Sequence, residues 1–114
     1  MRTTLLLCLL LSSAASASSI DKELVARIIR KQNPAFHACY ETALKSEIPG
    51  VSGKASLKIA INSEGKVTQV DVDFPQPAEK FTTCLRDAAM ELRFPKFGPG
   101  EPIKIMWPIV FAAP

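Results

Sequence analysis

Hydrophobic positions between residues 34 and 44 recur with the period of a helix. Phe36, Cys39, Tyr40, Ala43 and Leu44 stand at i, i+3, i+4, i+7 and i+8, one continuous apolar face. Asn33 suits the cap of this helix, and Pro34 suits its first position, where a missing N–H costs nothing. A second stretch repeats the spacing with Phe81, Cys84, Leu85, Ala88 and Leu92, over residues 78–92. In both, a cysteine follows a phenylalanine by three residues on the apolar side, which predicts a buried bridge between two helices. Upstream, residues 20–31 read as a helix with a stripe of Leu24, Ile28 and Ile29 and with Val25 beside it. Asp21 and Glu23 fall in its first turn and Arg27, Arg30 and Lys31 in its last, as the helix dipole prefers. Pro34 removes a helical hydrogen bond, so a kink or break is predicted near residues 31–33.

The period then changes from helical to alternating. Ile48-Pro49-Gly50 forces a turn. Over residues 54–61, Ala55, Leu57, Ile59 and Ile61 point one way and Lys54, Ser56, Lys58 and Ala60 the other, a strand with one wet face. Asn62-Ser63-Glu64-Gly65 reads as a hairpin loop, and residues 67–74 as its partner strand, with Val70, Val72 and Phe74 inward and Gln69, Asp71 and Asp73 outward. Residues 93–100 form a loop with aromatic anchors. A last strand runs over residues 103–111, where Ile103, Ile105, Trp107, Ile109 and Phe111 share a face and Met106 and Val110 make the other partly apolar. Pro108 cannot donate to a neighbour, so this strand is expected at an edge or with a bulge. The order α-β-β-α-β predicts an α+β fold: a three-stranded sheet of order 2-1-3, strands two and three parallel on either side of the first, a right-handed crossover, and helices on one face.

A chain of 114 residues allows one domain, and a net charge of +3 is too modest for a nucleic-acid footprint. The first 17 residues change the picture more. Arg2, an apolar run over residues 5–11 broken by Cys8, and Ala15-Ser16-Ala17 read as a secretory signal, too short to span a bilayer. The expected division is therefore a signal peptide over 1–17 and a domain over 18–114, exported and without a membrane span after cleavage. Export leaves Cys39 and Cys84, an even count that reads as a disulfide in an oxidising compartment. Closing so long a loop is worth about 4 kcal/mol in the chain-entropy model. Two separate buried thiols, or a metal pair, are the alternatives; two cysteines and one histidine make a poor zinc site.

Candidate chemistry is sparse. His37 is the only histidine, and no nucleophile–base set, phosphate loop or metal signature is readable. Asp71 and Asp73 alternate onto one strand face, Arg27, Arg30 and Lys31 cluster on a helix, and each set reads as a solvated face. No enzyme activity, cofactor or metal is expected.

The motifs in order carry a resemblance. Cys39-Tyr40-Glu41 with Ala43-Leu44, Pro49, Gly53-Lys54, Ile61 with Gly65-Lys66-Val67, Cys84, Arg93-Phe94-Pro95, Trp107-Pro108 and Phe111 follow one another across residues 25–111. This resembles the TonB C-terminal-domain-like family of the gliding-motility AgmX/PglI type, with Trp107 where that family has tyrosine. The resemblance implies a periplasmic envelope domain. Relatives of this kind tie an inner-membrane proton-driven motor to outer-membrane proteins by pairing their last strand with a short peptide of the partner, which is strand addition. Carried over, the partner-binding residues are Ile103, Ile105, Trp107, Ile109 and Phe111. Transducers of the family have a membrane anchor and a long proline-rich spacer, which are not expected here, so the domain is read as a freestanding adaptor for an envelope protein or peptide segment. Two other readings stay open: a structural homodimer through the same apolar edge, and a cell-wall-associated protein holding glycan strands by Lys54, Lys58 and Lys66.

Overall fold

The computed structural model describes residues 21–97 and 100–112. The expected signal peptide over residues 1–17, Ile20 at the expected start of the first helix, and Gly98-Pro99 in the last loop lie outside the described residues. The chain forms α1 (Lys22–Lys31), α2 (Asn33–Ser46), β1 (Gly53–Ile61), β2 (Val67–Asp73), α3 (Glu79–Met90) and β3 (Ile103–Phe111). The strands lie in the order β2-β1-β3. Both outer strands run antiparallel to β1, so they are parallel to each other. α3 packs on β2 and beside α2, which places the helices on one face of the sheet.

Asp21 caps α1 by accepting the Glu23 N–H at 2.9 Å, and Val25 and Ile29 are its buried line. Of the expected stripe of Leu24, Ile28 and Ile29, only Ile29 is fully buried; Leu24 and Ile28 are half-buried. The predicted break occupies one residue. Gln32 ends α1 and begins α2 with φ −90° and ψ 0°. Its carbonyl accepts the Ala35 and Phe36 N–H groups, and its side-chain Nε2 donates to the Ala88 carbonyl at 2.8 Å, fastening the bend to α3. Asn33 is therefore not the cap: it is the first helical residue, Pro34 the second, and no side chain caps α2. The reason is that the chain stays in the right-handed helical region through Gln32, so the bend forms one residue earlier than a side-chain cap at Asn33 requires.

The first strand is buried at Ala55, Leu57, Ile59 and Ile61, with Lys54 and Lys58 exposed on the other face. Asn62 closes the β1–β2 hairpin by accepting the Glu64 and Lys66 N–H groups on Oδ1, both at 3.0 Å. Gly65 has φ +87°, and a Cβ there would lie 1.8 Å from the Phe94 carbonyl oxygen. That close approach has a purpose in the fold. The segment after α3 returns along the hairpin, with the Phe94 N–H donating to the Gly65 carbonyl at 2.9 Å and the Phe97 N–H to that of Ser63 at 3.1 Å. It thereby delivers the chain to the start of β3.

The α3 N-terminus lacks a cap from its own segment. Glu47, just past the end of α2, supplies it instead: its two carboxylate oxygens accept the Lys80 and Phe81 N–H groups, each at 3.0 Å. An anion at a helix N-terminus satisfies orphan donors and complements the dipole. Glu47→Ala is expected to lower unfolding stability by about 1–2 kcal/mol, read from the urea midpoint; an unchanged midpoint would contradict the cap. Gly65→Ala should cost more, since both the positive φ and the Phe94 carbonyl oppose a Cβ. A domain as stable as the parent would show that the return segment does not dock on the hairpin.

Candidate functional site

The last strand lies at the sheet's margin, paired among the described residues with β1 alone. The register runs from Gly53↔Phe111 to Ile61↔Ile103 without a shift, and Pro108 sits opposite Ser56. A proline fits an unbroken ladder with its nitrogen turned to the free side. Backbone direction alternates along a strand, so Lys104, Met106 and Val110 share that parity and present N–H and C=O to the open edge. The opposite margin of β1 agrees. The Ala60 carbonyl accepts from Thr68 Oγ1 at 3.4 Å, and the Asn62 N–H donates to Lys66 at 2.9 Å, so the even-numbered residues of β1 address β2. Its odd-numbered residues are left to address β3.

The two faces of β3 are covered unequally. On the helix side, Phe111 is buried and packs on Tyr40 and Phe81, with ring centroids 5.0 and 5.1 Å apart. Ile105, Trp107 and Ile109 are half-buried and pack against the core margin, and Ile103 is half-buried too. Their partners on β1, by contrast, are fully buried. On the outer side, Met106 and Val110 are 58 % and 73 % exposed, with Pro108 exposed between them. A shallow groove lined by Pro34, Phe36 and His37 of α2 and by Ile109, Val110 and Phe111 continues this surface onto the helix layer. Of the five residues expected to bind a partner, four therefore border open space; the fifth, Phe111, anchors the end of the strand in the core.

The other sequence-derived candidates fall elsewhere. Cys39 and Cys84 are bridged, with Cα atoms 5.7 Å apart, joining α2 to α3. The bridge is not buried as expected. Cys39 is 4 % exposed, but Cys84 lies at the outer margin of its helix and is exposed. A helical period gives the direction of a side chain and not the depth at which the neighbouring helix covers it. Lys54 and Lys58 share the outer sheet face with Lys104, while Lys66 belongs to the hairpin and bridges Arg93. Asp71 and Asp73 are exposed on β2, as are Arg27, Arg30 and Lys31 on α1. His37 lies 3.6 Å from Glu41, both exposed on α2. Among the described residues no group of three histidine, cysteine or acidic side chains is placed to hold a metal ion, and no helix is long and apolar enough to cross a membrane. The signal that sequence reading missed is Glu47, a polar residue in a turn whose partners lie more than thirty positions away.

No family model matches the chain, and no curated protein does. Among solved structures, the solution structure of the TonB C-terminal domain of Helicobacter pylori (residues 179–285) superposes with a TM-score of 0.54 at 18 % identity, covering 90 % of this chain and 98 % of that one. A shorter form of the same domain (residues 194–285) gives a TM-score of 0.45 at 22 % identity, over 75 % of this chain and 92 % of the other. The longer superposition shows the fold: three antiparallel strands ordered β2-β1-β3 under α-helices, as in a TonB C-terminal domain.

Proposed function

We propose that this chain is a non-enzymatic periplasmic interaction module of the cell envelope, and that it docks an extended segment of another envelope protein by strand addition at β3. The observation that carries the proposal is the state of that strand: one side unpaired, its helix-side residues half covered, and Met106 and Val110 exposed on its outer face. An added strand would complete the backbone hydrogen bonds of Lys104, Met106 and Val110 and cover Ile105, Trp107 and Ile109. The fold shared with a TonB C-terminal domain supports the reading, as does the motif order resembling the AgmX/PglI type. The periplasmic setting rests on residues 1–17 as a secretion signal and on the Cys39–Cys84 bridge, a bond that persists in oxidising compartments.

A photo-reactive residue at position 106, introduced in cells, tests the proposal. The expected outcome is a crosslink to an envelope protein through an extended segment. Val110→Pro removes one outward N–H at an exposed position and should reduce that crosslink about tenfold while leaving the melting temperature near the parent's, since one unmet hydrogen bond costs about 1–3 kcal/mol. Capture only of a second copy of this chain would replace docking by a homodimer. A crosslink indifferent to Val110→Pro would rule out strand addition.

A further inference from the structure

We propose that Cys84 is a thiol-exchange site, at which the Cys39–Cys84 bridge accepts a thiol of neutral or positive charge. Three observations combine. The two sulfurs are unequally available, since Cys39 is 4 % exposed and Cys84 is exposed. The bridge opens into a groove between α2 and α3 rather than into the core, with small side chains such as Ala38 and Thr42 along the α2 wall. The groove is also charged in one sense. Glu79, Asp87 and Glu91 line it against the single cation Lys80; Lys80 and Asp87 stand on the same stripe of α3 as Cys84, and Glu91 at the helix's C-cap continues it. Among the described residues none of these charges is in an ion pair. An anionic thiol is repelled from such a groove and a cationic one is drawn in.

The exchange follows from which sulfur can be reached. An external thiolate attacks Cys84 Sγ, a mixed disulfide forms there as the Cys39–Cys84 bond breaks, and the electron pair leaves on Cys39 Sγ, which takes a proton from water. A second thiolate of the same class attacks the external sulfur of the mixed disulfide. The external disulfide departs, and the electron pair of the broken bond leaves on Cys84 Sγ, which takes a proton from water and is left as a thiol. Two external thiols are oxidised to one disulfide while the protein bridge is reduced to two thiols. The domain has other ties across the same junction: Gln32 to the Ala88 carbonyl, Glu47 on the α3 N-terminus, and the Tyr40–Phe81 ring contact at 5.9 Å. Opening the bridge therefore loosens α2 against α3 without removing the contacts that place them.

The test uses the folded, oxidised protein with cysteamine and 2-mercaptoethanesulfonate as cationic and anionic probes. Each rate is divided by that of the same thiol with neutral hydroxyethyl disulfide. Acid-quenched samples are alkylated and mapped by mass spectrometry. The expected adduct is on Cys84 with the alkyl group on Cys39, and the normalised cysteamine rate should exceed the sulfonate rate roughly threefold or more, the gap closing near 1 M salt. In single-cysteine variants checked for folding by circular dichroism, Cys84 in Cys39→Ser should react with a neutral disulfide at least about tenfold faster than Cys39 in Cys84→Ser. An adduct on Cys39, exchange only in denaturant, or a rate order indifferent to charge would each overturn the proposal.

Discussion

Phe81 is the point at which the elements of this domain are held to one another. Its N–H donates to the Glu47 carboxylate beyond α2, and its ring meets Tyr40 of α2, Phe74 at the end of β2 and Phe111 at the end of β3, at centroid distances of 5.1–5.9 Å. Such spacings suit tilted and edge-on aromatic contact. Tyr40 adds a second link by donating its hydroxyl to the Val51 carbonyl before β1. The disulfide, one residue before Tyr40 and three after Phe81, closes the same junction on its outer side. Helix placement, the start of the sheet and the end of the last strand thus share one set of contacts.

That arrangement concentrates cover at one end of the sheet and withholds it from the other margin. Phe111 is fixed while Ile105, Trp107 and Ile109 stay half-buried and, among the described residues, the outer edge of β3 has no strand beside it. An apolar edge of this kind is a hazard for aggregation unless it is used or blunted. Pro108 and Lys104 blunt it by removing one donor and adding one charge. The functional reading follows from this imbalance: the sheet is complete for folding and incomplete for pairing.

Much of the architecture was legible in the chain. The alternation of Ile103, Ile105, Trp107, Ile109 and Phe111 marks the last strand to its observed ends, and Pro108 marks it as an edge, because both signals are local. The helix faces of Phe36, Tyr40, Phe81 and Leu85 were legible for the same reason. The long-range details were not. Glu47 looks like a solvated turn residue until α3 is brought to it, and Gly65 looks like an ordinary hairpin glycine until Phe94 returns. Cys84 carries the same spacing as Cys39 yet ends exposed, since periodicity cannot say which of two facing helices shields a bridge. Asn33 was displaced from the cap by Gln32, whose side chain is held by α3, a tertiary contact overriding a local preference.

Amide hydrogen exchange of the uniformly labelled chain at low concentration tests the central claim most directly, because it reads the β3 backbone residue by residue without any partner. The account predicts alternation: slow exchange at Ile105, Trp107 and Ile109, which face β1, and fast exchange at Lys104, Met106 and Val110, which face the open side. Uniform protection along β3 in the dilute chain would mean that the edge is already paired, and would contradict an edge left free for docking.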